Sequence, residues 1–200
     1  VAQALTKCRL SEKCKLVFRA WHNHAMNALE VLIAGGGIGG VAAAVATARA
    51  GNQVRVYERA PVFSEVGAGV QLGPNATRVL IQWGLTDALK AVASFPALLQ
   101  VRSAESGAEL GRLELGPRLM VRYGAPYASI HRADLHHLLT RAMLQQEGVH
   151  LCLDQAVAGF QQDEDAVALP TSLGVRVEGD VLVGADGVWQ RDRVTRVVPA

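Results

Sequence analysis

The chain has 200 residues, 50% of them hydrophobic and 19% charged, enough to pack a core for one domain and part of a second. Its net charge of +2 provides neither the basic stripe that nucleic acid demands nor an affinity for anionic membranes. No apolar run approaches the roughly 20 residues of a membrane-spanning helix. Three cysteines make no disulfide framework, so a reducing cytoplasm is the expected compartment.

The first 25 residues differ from the rest: Lys7, Arg9, Lys13, Lys15 and Arg19 stand against the single acid Glu12. Cys8, Cys14, His22 and His24 fall at the spacing C-x5-C-x7-H-x-H, which matches no zinc-ligand pattern, and no metal is expected. The stretch reads as an acid-poor amphipathic leader or as a non-native extension ahead of Met26, without structure of its own.

From Leu29 the pattern becomes regular. "LEVLIAG" is a continuous apolar run bounded by glycine, as in a buried parallel strand. "IGGVAAAVATARAG" predicts an alanine-rich helix closed by Gly51, and "QVRVYER" a second strand in which Val54, Val56 and Glu58 share one face. "FSEVGAGVQLGPNA" reads as a loop with little side-chain bulk, and Pro74 then opens a helix that ends near Gly84. "TDALKAVA" predicts a further helix with Thr86 as its N-cap. Residues 97–122 read as a β-hairpin turning at Ser106-Gly107. "RADLHHLLTRAMLQQEG" predicts an amphipathic helix, with Leu135, Leu138, Leu139 and Ala142 on its apolar face and Gly148 as its stop. "VHLCLD", "AVAGFQQ" and "GVRVE" follow as short strands, and "DVLVGADG" as one more buried strand running into a glycine turn.

Chemistry concentrates in three of these segments. Gly35, Gly37 and Gly40 form G-x-G-x-x-G between a strand and a helix, the pattern that seats a dinucleotide pyrophosphate on a helix N-terminus. Glu58 ends the following strand 18 residues past Gly40, where a carboxylate can accept both ribose hydroxyls of an adenosine. Gly67, Gly69 and Gly73 make a second loop that a ligand can approach through the backbone. Asp186 falls at the C-terminal end of a buried strand between Gly184 and Gly187, the edge at which open α/β sheets bind ligands. Arg132 opens a helix, where the helix dipole disfavours a cation; it is either a solvated side chain or the partner of a phosphate or carboxylate. His136 and His137 read as packing or polar-face residues, and Trp83 and Trp189 as packing residues.

In their order, "VLIAGGGIGG", "VRVYERA", "EVGAGVQLGPNATRVL", "IHRADLHHLL" and "VLVGADGVW" resemble the group A FAD-dependent aromatic-ring monooxygenases over about residues 26–193. The stretch "EVGAGVQLGPNA" is most similar to the salicylate hydroxylase and 3-hydroxybenzoate 6-hydroxylase branch. The resemblance implies an α/β fold, a Rossmann-like FAD-binding domain with a parallel sheet, plus part of a β-rich substrate domain. Residues 26–200 would then be an incomplete FAD-binding domain, with an inserted β segment at about 97–125 belonging to the substrate side.

It also implies a set of cofactor-binding residues. Gly35, Gly37, Ile38, Gly39 and Gly40 would hold the FAD pyrophosphate, and Glu58 with its neighbour Arg59 the adenosine ribose. Gly69 and Val70 would line the flavin through their backbone, Arg132 would contact FAD, Val157 would lie near the adenine, and Asp186 would serve both FAD and the visiting nicotinamide cofactor. FAD would be reduced by NADH or NADPH, and O₂ would supply one oxygen atom to a small phenolic acid such as salicylate or 3-hydroxybenzoate, the other leaving as water. Such chemistry needs no side-chain nucleophile, and no catalytic residue is assigned.

Two departures stand out. The family continues Gly-Ala-Asp-Gly-x-x-Ser-x-x-Arg, whereas Gln190 takes the serine position and Asp192 precedes the retained Arg193. A second flavin segment, Gly-Asp-Ala-Ala-His, is missing, and family members run to about twice this length, so the chain reads as an N-terminal half. Two other readings of the residues stay open: an NAD(P)-dependent dehydrogenase built on the same βαβ unit, and a non-catalytic flavin-binding remnant.

Overall fold

The computed structural model describes residues 28–63, 67–163 and 166–187. Their elements begin with β1 (Glu30–Ala34), α1 (Ile38–Arg49), β2 (Gln53–Tyr57), β3 (Gly69–Leu72), α2 (Pro74–Gln82), α3 (Thr86–Val92) and β4 (Ala93–Ser94). There follow β5 (Leu98–Arg102), β6 (Glu109–Glu114), α4 (Pro117–Tyr123), β7 (Ala128–His131) and α5 (Arg132–Leu144). The last are β8 (Val149–Cys152), β9 (Gln161–Gln162), β10 (Val167–Pro170), β11 (Arg176–Gly179) and β12 (Val181–Gly184). The chain divides into two units: the residues up to Phe63 and from Arg141 onward, and the segment between them that ends at Thr140.

The first unit is built on a parallel sheet in the order β12-β1-β2-β8. Val31, Leu32, Ile33 and Ala34 of β1 and Val54, Val56 and Tyr57 of β2 are all buried, as expected of strands covered on both faces. Register pairs Ile33 with Val56 and Val183, and Tyr57 with Cys152, so all four strands end at one edge. α1 packs through Gly40, Val41, Ala44 and Val45, small residues that let helix and sheet approach closely, and Gly51 at φ +88° turns the chain back into β2. An antiparallel sheet, β11-β10-β9, covers this core by placing Val167, Leu169 and Val177 against Leu32, Ala34, Tyr57 and Leu182.

In the second unit β3, β7 and β4 form an antiparallel sheet in the order β3-β7-β4, with Gly69 opposite His131 and Ala93 opposite Ile130. β5 and β6 form a separate hairpin in which Leu99 faces Leu113. The turn between them contains Ser106 and Gly107, the latter at φ +70°, as expected.

Several sequence expectations are corrected. The hairpin does not extend to residue 122; its second strand ends at Glu114, and Pro117–Tyr123 is helical. Pro117 loses nothing at the first helical turn, and Gly124 closes the helix in the left-handed conformation at φ +69°. Thr86 is the first residue of α3 rather than its cap; Leu85 takes that place with no side-chain bond. The supposed loop "FSEVGAGVQLGPNA" contains strand β3, whose pairing partner β7 lies far along the chain and, like β3, alternates over only four residues. Of "AVAGFQQ" only Gln161–Gln162 is a strand, with a single bridge from Val157 to Thr171, while β10 arises in "VALP", which the periodicity did not mark. Cys8, Cys14, His22, His24, Trp189, Gln190, Asp192 and Arg193 lie outside the described residues.

Candidate functional site

At the end of β1 the chain turns sharply. Gly35 adopts φ +106°, its amide donates to the Tyr57 carbonyl at 2.8 Å, and a β-carbon on it would overlap the Ala185 carbonyl. Only glycine tolerates that combination. Gly40, in the first turn of α1, faces the Gly35 carbonyl oxygen so closely that a β-carbon would overlap it. The two outer glycines of the motif are thus required by the packing of the protein itself.

Gly37 is different. It is the N-cap of α1 with an ordinary extended backbone, φ −69° and ψ −177°, and a β-carbon on it would meet none of the described residues within 4 Å. The same holds for Gly39, which is exposed, and Ile38 opens the helix beside it. No side chain caps this end of α1 and no acid occupies its first turn, so its amide groups and dipole face an open cradle. Anion binding is what such an end does best.

Glu58 lies just beyond β2, half-buried. Its Oε2 accepts the Gly36 amide at 2.7 Å and its Oε1 accepts the Ala60 amide at 2.9 Å. Its own backbone is pinned as well: the Glu58 amide donates to the Cys152 carbonyl, and its carbonyl accepts from the Gln155 amide, each at 2.9 Å. A carboxylate offers about four acceptor sites, so two ribose hydroxyls can still be received. Arg59 beside it is exposed.

β12 brings its end alongside. The Ala185 amide donates to the Ala34 carbonyl at 2.7 Å, and the Asp186 backbone abuts Gly35, with exposed Asp186 following the strand. Val157 packs half-buried against the core beside Cys152 and Phe160. The first unit therefore gathers the glycine turn, Glu58 and Asp186 at the C-terminal edge of its parallel sheet, where α/β folds bind ligands.

Gly69, Val70 and Arg132 belong to the second unit. Gly69 and Val70 pair with His131 and Ile130, and the Arg132 amide donates to the Ala68 carbonyl at 3.3 Å. The Arg132 stem lies over Gly67, where a β-carbon would come within 2.8 Å of its Cδ. Sequence reasoning missed Gly36 and Ala60 as partners of Glu58, and Phe63, whose ring presses on Gly36. Gly36 and Ala60 act through backbone amides, which carry no residue signature, and a lone Phe63 at the start of a loop gives no sign of what its ring meets.

The open cradle at Gly37, the uncapped helix end and an acceptor-only carboxylate at the next strand fit an adenine dinucleotide. Residues 28–198 match the family described as FAD binding domain. The chain belongs to that family. FAD is the dinucleotide concerned, and the resemblance to FAD-dependent aromatic-ring monooxygenases is borne out.

Among curated relatives, the 6-hydroxynicotinate 3-monooxygenase of Bordetella bronchiseptica is 40% identical over 163 residues, which cover 82% of this chain and 42% of the relative. The 3-hydroxybenzoate 6-hydroxylase of Polaromonas naphthalenivorans is 39% identical over 160 residues, covering 80% of this chain and 40% of the relative. A crystal structure of an HpxO variant from Klebsiella pneumoniae complexed with FAD superimposes with a TM-score of 0.68 at 26% identity, covering 80% of this chain and 40% of that one. This FAD-binding-domain chain thus spans about two fifths of the length of the relatives it matches. Among the described residues, no helix is long and apolar enough to cross a membrane, and no group of three or more His, Cys, Asp or Glu side chains is placed to hold a metal ion.

Proposed function

We propose that the chain is the FAD-anchoring part of a cytoplasmic monooxygenase that hydroxylates a small phenolic aromatic acid with NADH or NADPH and O₂. The observation that carries this reading is the division of labour among the motif glycines: Gly35 and Gly40 serve the fold, while Gly37 is free for a ligand. The pyrophosphate rests on the amides of Gly37, Ile38, Gly39 and Gly40, with Glu58 receiving the adenosine ribose and Arg59 beside it. Val157 is assigned to the adenine, Asp186 to the approach of FAD and the nicotinamide cofactor, and Gly69, Val70 and Arg132 to further FAD contacts, all on the family resemblance.

When bound, FAD supplies the redox and oxygen chemistry; the protein supplies binding, orientation and exclusion of water. The two relatives named above act, by their names, on 6-hydroxynicotinate and 3-hydroxybenzoate, both hydroxylated ring acids. That shared chemistry supports the substrate class. Residues at about 97–125 are assigned to the substrate side: Leu99, Val101 and Leu113 lie exposed on one face of the β5–β6 hairpin, and a two-stranded hairpin of this kind needs further cover.

The test is direct. Purified protein should retain or take up FAD, seen as flavin absorbance. In the enzyme that contains this chain, salicylate, 3-hydroxybenzoate or 6-hydroxynicotinate should stimulate NAD(P)H oxidation with O₂ uptake and yield a hydroxylated ring. Tight NAD binding with no flavin uptake would overturn the reading in favour of a dehydrogenase. FAD uptake without ring-stimulated oxidation would leave only the flavin-binding remnant.

A further inference from the structure

We infer that Glu58 is a positioning residue for the pyrophosphate cradle, in addition to any contact it makes with a ribose. The inference rests on the dinucleotide-binding reading above. The geometry behind it is a node: one carboxylate oxygen takes the Gly36 amide at 2.7 Å and the other takes the Ala60 amide at 2.9 Å. Gly36 lies between Gly35, whose conformation and packing are fixed, and Gly37, whose surroundings are open. The Gly36 amide is therefore the last anchor before the chain enters the open part of the cradle. Phe63 presses on the same residue, its ring 2.8 Å from where a Gly36 β-carbon would stand.

The node is itself held. The backbone of Glu58 is bonded to Cys152 and Gln155, and the Ala60 carbonyl accepts the Asp154 amide at 3.1 Å. The glycine turn, the end of β2 and the chain after β8 thus meet at one side chain. Bonds from amides to an ionised carboxylate are about twice as strong as neutral ones, so the anchor is a stiff one. It sets the angle at which the following amides of Gly37, Ile38 and Gly39 leave the turn.

Charge and position act in opposite directions here, which makes the inference testable. A carboxylate near a phosphate site repels anions, so a Glu58 that served only the ribose would, on removal, leave inorganic pyrophosphate binding unchanged or tighter. A Glu58 that holds the loop would, on removal, weaken it, although pyrophosphate has no ribose.

The experiment measures inorganic pyrophosphate and ADP affinity for the wild-type protein, Glu58→Gln and Glu58→Ala, together with hydrogen exchange at the Gly36 amide. Expected is about a tenfold loss of pyrophosphate affinity in Glu58→Ala, with partial rescue in Glu58→Gln, whose amide oxygen still accepts one bond. Gly36 exchange should accelerate in the same order while the amides of β1 keep their protection, which separates loop positioning from loss of fold. Unchanged or tighter pyrophosphate binding in Glu58→Ala, or Gly36 exchange equal to wild type, overturns the inference. Wild-type protein that binds neither FAD nor ADP would overturn the functional reading instead, and Gly36 exchange would still decide the anchor.

Discussion

Gly40 stands so close to the Gly35 carbonyl oxygen that a β-carbon on it would overlap that atom, whereas a β-carbon on Gly37 would meet none of the described residues within 4 Å. Two glycines three residues apart in one motif are thus demanded by different things. The first is demanded by the approach of α1 to β1; the second, on the function proposed above, by the pyrophosphate the loop would hold.

Gly37→Ala should therefore leave the fold intact. An alanine N-cap in place of glycine costs a helix less than about 1 kcal/mol, and the backbone at φ −69° accepts any residue. FAD affinity should nevertheless fall by about tenfold or more, because the new methyl group occupies the approach to the pyrophosphate. Gly40→Ala should do the reverse, losing about 3 kcal/mol or more by overpacking against backbone that cannot yield. Urea unfolding followed by flavin titration of the folded variants separates the two.

Arg55 is a second structural commitment. Its side chain, 11% exposed, donates from Nε to Glu30 Oε1 at 2.6 Å and from Nη2 to the Glu178 carbonyl at 2.8 Å. It thereby fastens β1, β2 and β11. Arg55→Met should destabilise the protein by about 2 kcal/mol, below the cost of breaking a fully buried pair because the Glu30 side chain is 31% exposed. Adding Glu30→Gln should recover part of the loss, since the stranded carboxylate disappears; urea midpoints of the single and double variants check both steps.

Tyr57, on the same strand, fixes the response to alkali. Burial holds its hydroxyl above the ordinary pKa of 10.0, with the Arg55 guanidinium opposing the shift. A group whose folded pKa is raised contributes stability that is complete below the unfolded pKa and declines as pH rises through the folded one. Stability should accordingly fall with rising pH from about pH 10 upward. Tyr57→Phe should flatten that limb while leaving the neutral region little changed. Urea midpoints measured from pH 8 to 11 check it.

Much of this was legible in the chain, and the parts that were not share a cause. β1, α1 and β2 announce themselves because buried parallel strands are continuous apolar runs and Gly51 ends the helix between them. β3 and β7 do not, because an alternation of only four residues is too short to stand out, and each strand is completed by a partner far along the sequence. α4 was hidden because "RLMVRY" reads equally as strand, and only Pro117 and Gly124, taken as a pair, tell otherwise. In the site, the glycines and Glu58 were legible as residue types at a spacing. That Gly35 and Gly40 answer to packing while Gly37 answers to space was not, because it depends on where Ala185 and the Gly35 carbonyl stand.

Thr77 carries the last prediction, and it bears on the second unit. Fully buried in α2, its hydroxyl donates to the Pro126 carbonyl at 2.6 Å, with the Gly73 carbonyl at 3.4 Å as a weaker second acceptor. This bond ties α2 to the chain two residues before β7, and β7 in turn holds β3 through Ile130 opposite Val70. Thr77→Val keeps the volume but removes the donor, leaving the Pro126 carbonyl without this partner, at a cost of about 1–2 kcal/mol. Thr77→Ser keeps the donor and gives up only a methyl group. The two variants should therefore separate in hydrogen exchange at the Val70 amide: faster in Thr77→Val, near wild type in Thr77→Ser. Equal exchange in both would show that β3 is placed by its own ladder alone and that the buried hydroxyl serves only α2.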